Sequence, residues 1–131
     1  MARIDVVPLA LNNQVRIEDL CEDLEQVFHV PVDKLHLKVD VSHALDVSRR
    51  QYHSAKLLAM LLEEAPSTGS KIIGVTSYDL FLPVLTFVFG QAQVDNRASI
   101  FSTFRLNNEF YGLPSAPDAL YFRALKEAVH E

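Results

Sequence analysis

His130 and Glu131 are the residues whose types and order are best suited to chemistry. They follow one another directly at the end of an apolar stretch with helical spacing. The pair has the form of the first two positions of H-E-x-x-H, in which two histidines one helical turn apart bind zinc and the glutamate acts as a general base. A solvated helix terminus can carry the same two residues. Other segments must therefore decide between a metal site and an ordinary helix end.

Two further sets of polar residues are weaker candidates. Asp40, His43 and Asp46 recur at every third position after a predicted strand. This spacing matches no recognised ligand pattern, so we interpret the three residues as a solvated loop. Cys21 lies on the apolar stripe of the first predicted helix, and we therefore predict a core position for it.

Composition and charge limit the classes of function. The chain has 131 residues, of which 49% are hydrophobic and 22% charged, as expected for one folded domain spanning 1–131. The formal charge of −5 argues against a nucleic-acid partner. No apolar run approaches the roughly 18 residues of a membrane span, so we expect no membrane partner. One free cysteine and no export signal predict a cytoplasmic location.

The apolar periodicity alternates between strand and helix spacing along the chain. Together the segments predict an α/β fold with a mixed, twisted sheet of about five strands and three helices. A capping-box pattern at 48–51 is expected to start the second helix. The predicted strands are 4–9, 35–41, 71–76, 87–94 and 98–103, and the predicted helices are 17–28, 52–62 and 118–131.

Two of these strands should form an antiparallel hairpin. Residues 87–94 and 98–103 are separated by only three residues, Asp95–Arg97, which is short enough for a tight turn. Gly90 within the first of them suggests a bulge or a close approach of another backbone. Residues 71–76 are apolar on both faces, as is typical of a central strand.

Four segments that follow one another along the chain carry a family resemblance. They resemble the archaemetzincins, a zinc metallopeptidase family of the metzincin group. The likeness is most specific from Tyr78 to Glu131, whereas residues 1–77 agree in the order of elements. The segments are Phe87–Ala92, Ser102–Leu106, Tyr111–Pro114 and Lys126–Glu131.

The resemblance implies a metzincin N-terminal subdomain and a role for each of the two terminal residues. In the family the last helix continues as H-E-x-x-H-x-x-G-x-x-H, and three histidines hold the catalytic zinc. His130 would be the first zinc ligand. Glu131 would take a proton from the attacking water and pass it to the leaving amine. This sequence contains one ligand of the three, so we expect a chain cut within the motif that holds zinc weakly and is inactive.

The resemblance also implies a peptide or protein substrate that lies extended beside an edge strand. Its predicted contacts are Phe87, Val88, Phe89, Gly90, Gln91, Ala92 and Gln93. Without a second subdomain, apolar surface on the underside of the sheet should favour self-association. A second class of function stays open, that of a non-catalytic α/β peptide-binding module or a decayed protease homologue. Both classes retain binding at an edge strand, so peptide affinity does not separate them.

Overall fold

The computed structural model describes residues 3–12, 14–65, 71–93 and 97–130, and the side chain of His130 is outside the described part. Within these residues the helices are α1 (Ile17–Phe28), α2 (Ser54–Glu64) and α3 (Pro117–His130). The strands are β1 (Ile4–Leu9), β2 (Val32–Lys34), β3 (Leu45–Asp46), β4 (Gln51–His53), β5 (Lys71–Thr76), β6 (Leu80–Leu82), β7 (Leu85–Val88), β8 (Gly90–Ala92) and β9 (Ala98–Ser102).

A five-stranded mixed sheet forms the centre of the fold. Its strand order is β2-β1-β5-β9-β8, with β8 at one edge antiparallel to β9 and all other pairs parallel. β5 lies between two neighbours and is buried from Ile72 to Thr76, because both of its faces are covered. The predicted α/β class, the five-stranded mixed sheet and the three helices are therefore confirmed.

A second sheet of four short strands was not predicted. It has the order β3-β4-β6-β7, and its strands are only two to four residues long. Segments of this length are too short to show a period of two in the sequence. The predicted capping box at 48–51 is wrong, because Gln51–His53 forms β4 and the second helix begins at Ser54.

The predicted strand at 35–41 is also wrong as a strand, although its alternation is real. Only Val32–Lys34 pairs with β1, and the ladder closes with the amide of Leu35 donating to the carbonyl of Val6 at 2.9 Å. Beyond it Leu37 and Val39 are half-buried, while the residues between them are exposed. The period of two therefore reflects the alternate burial of side chains against the core on the α2 side, although this segment pairs with no neighbouring strand.

Two apolar layers cover the faces of the five-stranded sheet. α1 and α3 pack on one face through Leu20, Leu24 and Ala124. α2 packs on the other face through Leu57 and Leu61. Gly74 of β5 lets α2 approach closely, since a Cβ built there would lie 2.7 Å from Cδ1 of Leu61. No helix among the described residues has both the length and the apolar character needed to cross a membrane.

Candidate active site

His130 of the predicted catalytic pair is the last residue of α3. This helix buries Leu120, Ala124 and Ala128, which are spaced by four residues and form one stripe against the sheet. The phenol of Tyr121 donates to the carboxylate of Asp23 on α1, and the pKa of Tyr121 is raised by burial and then by this carboxylate. α3 is thus fixed to the same face of the sheet as α1.

The course of α3 places His130 at the edge where β1 and β5 begin. The helix starts after the turns that follow the carboxyl end of β9 and runs back across the sheet. Near its other end Ala128 lines a cavity of about 250 Å³ together with Ile4 at the start of β1 and Lys71 at the start of β5. His130 lies in the following helical turn, and Glu131 is outside the described residues.

The described residues do not form a zinc site by themselves. Within 3–12, 14–65, 71–93 and 97–130, no group of three or more His, Cys, Asp and Glu side chains could hold a metal ion. A catalytic zinc site needs three protein ligands, and the predicted motif contributes one histidine to this chain. The residues present therefore do not fit a complete zinc site.

The loop with Asp40, His43 and Asp46, which we predicted to be solvated, contains two carboxylates that stabilise turns. The carboxylate of Asp40 accepts hydrogen bonds from the amide and the hydroxyl of Ser42, at 3.1 and 2.6 Å, and these bonds lower the pKa of Asp40. Asp46 accepts from the amide of Arg49 at 3.1 Å. His43 is exposed and lies 3.6 Å from Asp40. Both carboxylates cap turns, as expected for loop residues.

β8 is an edge strand whose hydrogen-bond pattern can be read residue by residue. The amide of Ser102 donates to Phe89, and the amide of Gln93 donates to Ala98, at 2.8 and 2.9 Å. In an antiparallel ladder, residues with backbone groups directed at the partner alternate with residues directed away from it. Phe89, Gln91 and Gln93 therefore bond to β9. The amides and carbonyls of Gly90 and Ala92 are directed to the open side.

The two faces of β8 differ in the size of their side chains. Gln91 faces α2, where its side-chain oxygen accepts from the hydroxyl of Ser54 at 2.7 Å. Gly90 and Ala92 are on the opposite face, paired with Phe101 and Ser99. Phe101 belongs to the core that also contains α3. The small residues of the edge strand thus share a face with the helix that carries His130.

Five of the seven predicted substrate contacts are brought together at this edge. They are Phe89, Gly90, Gln91, Ala92 and Gln93. Phe87 and Val88 belong to β7, so the predicted continuous strand at 87–94 is wrong. The chain crosses from the four-stranded sheet to the five-stranded sheet at Phe89. The turn at Asp95–Arg97 cannot be compared in full, since 94–96 are outside the described residues.

A buried ion pair beside this crossing was missed by the sequence analysis. The guanidinium of Arg105 donates from Nε and Nη2 to both carboxylate oxygens of Asp79, at 2.8 and 2.9 Å. The side chain of Gln51 donates to the same carboxylate at 2.9 Å and to the carbonyl of Thr86 at 2.8 Å. The hydrogen bond to Asp79 is the main reason why the pKa of Arg105 is raised. Asp79 and Arg105 are 26 positions apart, so no local pattern in the sequence indicates that they pair. The available signal was that both lie in or next to segments that resemble the family.

Cys21 occupies the predicted core position and is not a ligand candidate. It is buried between α1 and the sheet, and burial raises the pKa of its thiol to about 11. A thiol with this pKa is almost wholly protonated at neutral pH and therefore reacts slowly. Its environment is structural.

At pH 8 we expect Ellman's reagent to modify Cys21 at least about 100-fold more slowly in the folded chain than in urea. Burial hinders access of the reagent to the thiol, and the raised pKa lowers the fraction of thiolate. The pKa lies above its ordinary value of 9.0, so the folded state holds the proton more tightly. This contribution to stability is present below pH 9 and declines as the pH rises towards 11. Equal rates of modification with and without urea would contradict the burial of this thiol.

No protein-family model matches the chain. Archaemetzincin from Thermococcus kodakarensis is 31% identical over 100% of this chain and 74% of its own length. Archaemetzincin from Methanocaldococcus jannaschii is 40% identical over 72% of this chain. This match spans 51% of that relative, and the match to the Pyrococcus abyssi archaemetzincin spans 48%. The chain thus spans about half the length of the last two relatives.

Solved structures agree with the sequence comparison. The crystal structure of archaemetzincin from Archaeoglobus fulgidus, in complex with malonate, superposes with a TM-score of 0.77 at 33% identity and covers 98% of this chain and 74% of its own. A zinc-dependent peptidase from Methanocorpusculum labreanum gives a TM-score of 0.75 at 28% identity, with 98% and 78% covered. The resemblance seen in the sequence is confirmed, and the chain belongs to the archaemetzincin family.

Proposed function

We propose that the chain is the peptide-binding part of a zinc-dependent peptidase. The observation that carries this proposal is the open edge of β8, with the free backbone groups of Gly90 and Ala92 on the strand whose small side chains share a face with α3. Membership of the archaemetzincin family and the similarity to a protein named zinc-dependent peptidase support it. The reaction would be hydrolysis of a peptide bond in a peptide or protein substrate.

Zinc is the cofactor that this family membership implies, and when bound it supplies a Lewis acid. We propose His130 as one of its ligands and Glu131 as the residue that accepts a proton from water and returns it to the leaving amine. The remaining ligands would have to come from outside these 131 residues. The chain on its own is therefore proposed to be inactive. The predicted single-domain organisation and cytoplasmic location stay predictions.

The substrate is proposed to extend the five-stranded sheet by one strand. Gly90 and Ala92 each offer one N–H donor and one C=O acceptor to a peptide on the open side of β8. Neither residue has a side chain large enough to block the space on the α3 side. The backbone groups of Phe89, Gln91 and Gln93 bond to β9. These residues contribute to peptide binding by fixing the position of β8.

Replacement of Ala92 by proline tests this arrangement, because it removes the outward N–H and leaves every bond to β9 in place. We expect the variant to bind a capped, fluorescein-labelled peptide of alternating valine and threonine about fivefold more weakly, as one hydrogen bond is worth about 1 kcal/mol. Fluorescence polarisation gives the affinities. Ala92→Ser keeps the N–H and is the matched control.

The unmodified chain must bind the peptide for the proposal to stand. Absence of binding in the unmodified chain would overturn the proposal for the edge strand. Equal affinities of the Ala92→Pro and Ala92→Ser variants would show that the peptide is held elsewhere. Thermal unfolding of both variants checks that the fold is retained.

A non-catalytic peptide-binding module is the second candidate. The observation in its favour is the contrast between a complete open edge at β8 and the absence of a metal-binding group of side chains in the described part of the chain. Both candidates predict peptide binding. Only hydrolysis by a polypeptide with a complete ligand set distinguishes them.

Self-association is proposed through the outer faces of α1 and α3. Helices cover both faces of the five-stranded sheet, so we place the associating surface on the exposed apolar residues of α1 and α3. Val27, Phe122 and Val129 are all exposed and line one groove between α1 and α3. A second copy of the chain would bury this surface.

A further inference from the structure

The segment that leads into β8 is held by side chains from three separate elements. Asp79 precedes β6, Gln51 belongs to β4, and Arg105 follows β9. The carboxylate of Asp79 is almost fully buried and accepts three hydrogen bonds, two from Arg105 and one from Gln51. A buried carboxylate with this many donors favours one arrangement, because each lost bond leaves a buried oxygen atom with fewer donors.

Both donors of Asp79 also contact β7 immediately before the crossing. Gln51 donates to the carbonyl of Thr86 at 2.8 Å, which fixes the backbone. The guanidinium of Arg105 lies over the ring of Phe87, 3.9 Å from its centroid. Phe87 in turn packs edge-to-face against Phe89, with 5.2 Å between the ring centroids. A chain of contacts therefore leads from the buried carboxylate to the first residue that bonds to β9.

The same guanidinium is tied to the turns that follow β9. It lies 4.8 Å from the ring centroid of Phe110, and the carbonyl of Arg105 accepts from the hydroxyl of Tyr111 at 2.8 Å. A planar guanidinium can form a bidentate ion pair and stack on an aromatic ring at the same time, which a lysine ammonium cannot. Arg105 thus connects β6, the entry to β8 and the exit from β9.

We infer that Asp79 and Arg105 are positioning residues that hold β8 in the register that directs the backbone of Gly90 and Ala92 to a peptide. β8 has only three residues and a neighbour on one side, so its own ladder constrains it weakly. The contacts through Phe87 and Phe89 supply the missing constraint. The inference rests on the proposed peptide-binding function, since it concerns the same edge.

Hydrogen exchange tests the inference without any substrate. In the Arg105→Lys variant we expect the amides of Gln91 and Gln93 to exchange about tenfold faster, because the planar contact with Phe87 is lost and the short edge strand opens locally. The amides of Ile73 and Val75 in β5 should exchange at unchanged rates. Arg105→Met also removes the charge that pairs with Asp79, so it should raise the exchange rates further, and it is measured as well if it is folded. The matched control is Arg123→Met, which removes a cation bound to the carbonyl of Leu106 but touches neither Asp79 nor Phe87.

The second measurement is the affinity for the labelled valine–threonine peptide, obtained by fluorescence polarisation. The Arg105→Lys variant should bind severalfold more weakly, because a displaced register of β8 misaligns the backbone groups of Gly90 and Ala92 with the peptide, whereas Arg123→Met should bind like the unmodified chain. Unchanged exchange at Gln91 and Gln93 overturns the inference. An equal rise in exchange in β5 also overturns it, since it would show a general loss of stability. If the unmodified chain binds no peptide, the proposed function fails, and the exchange rates still decide whether Arg105 positions β8.

Discussion

The 131-residue chain is expected to bind zinc with a dissociation constant of about 10 µM or weaker, because one imidazole does not make a site and zinc affinity depends on several ligands acting together. Sites with a full set of ligands bind with about 10 to 16 kcal/mol, which corresponds to dissociation constants of roughly 10⁻⁷ to 10⁻¹² M. The described residues contain no alternative group of ligands. With zinc added, the chain should hydrolyse no peptide.

Competition with a chromophoric zinc chelator measures this affinity. The His130→Ala variant should behave like the unmodified chain, and His29→Ala is the matched control because His29 is an exposed histidine at the end of α1. A stoichiometric nanomolar site that disappears in His130→Ala would contradict the prediction. It would show that this chain contains all the ligands that bind zinc together with His130.

The same assays on a polypeptide that carries the complete H-E-x-x-H-x-x-G-x-x-H motif decide between the two candidate functions. Tight binding of about one zinc ion and hydrolysis of peptides are expected for the peptidase. Glu131→Gln should then keep the zinc and lower kcat by about 10²- to 10⁴-fold, because it removes the proton acceptor and not a ligand. A polypeptide that binds zinc and peptide without hydrolysis would support the non-catalytic module.

The second large effect concerns the apolar surface on α1 and α3. We expect the chain to form dimers or larger species at concentrations of about 100 µM, because exposed apolar patches of this kind favour association. Phe122 is the most exposed of these residues, at 69% of its surface, and Val27 faces the same groove at 48%. Phe122→Asp should weaken the association by about 30-fold or more, as expected when a charge replaces an aromatic residue at the centre of an interface.

Light scattering and sedimentation give the mass of the species in solution. Val84→Asp is the matched control, because Val84 is 90% exposed on the turn between β6 and β7 and lies outside this groove. A chain that stays monomeric at the highest concentration would contradict the proposal. A dimer that persists in Phe122→Asp and dissociates in Val84→Asp would place the interface elsewhere.

The amino-acid sequence by itself determined most of the buried stripe of α1 and α3. On α1, Leu20, Cys21 and Leu24 of the predicted apolar stripe are buried, whereas Val27 and Phe28 of the same stripe are exposed. The stripe of α3 likewise predicted Leu120 and Ala124. Helical periodicity is a local property, so a stretch of three or four turns contains enough residues to show it. The central position of β5 followed from a run that is apolar on both faces.

Only the tertiary structure decided how 87–94 is divided between two sheets and which residues of β8 have free backbone groups. A period of two indicates the faces of a strand, but the strand's neighbour is a distant segment that the local pattern does not contain. The same holds for Asp79 and Arg105, whose types alone suggest two exposed charges. Their pairing is specified by the meeting of β6 with the turns after β9, which brings them into contact across 26 positions. The sequence thus identified the family and the strand that we propose to bind peptide, whereas long-range packing determined that the backbone groups of Gly90 and Ala92 are the ones directed away from β9.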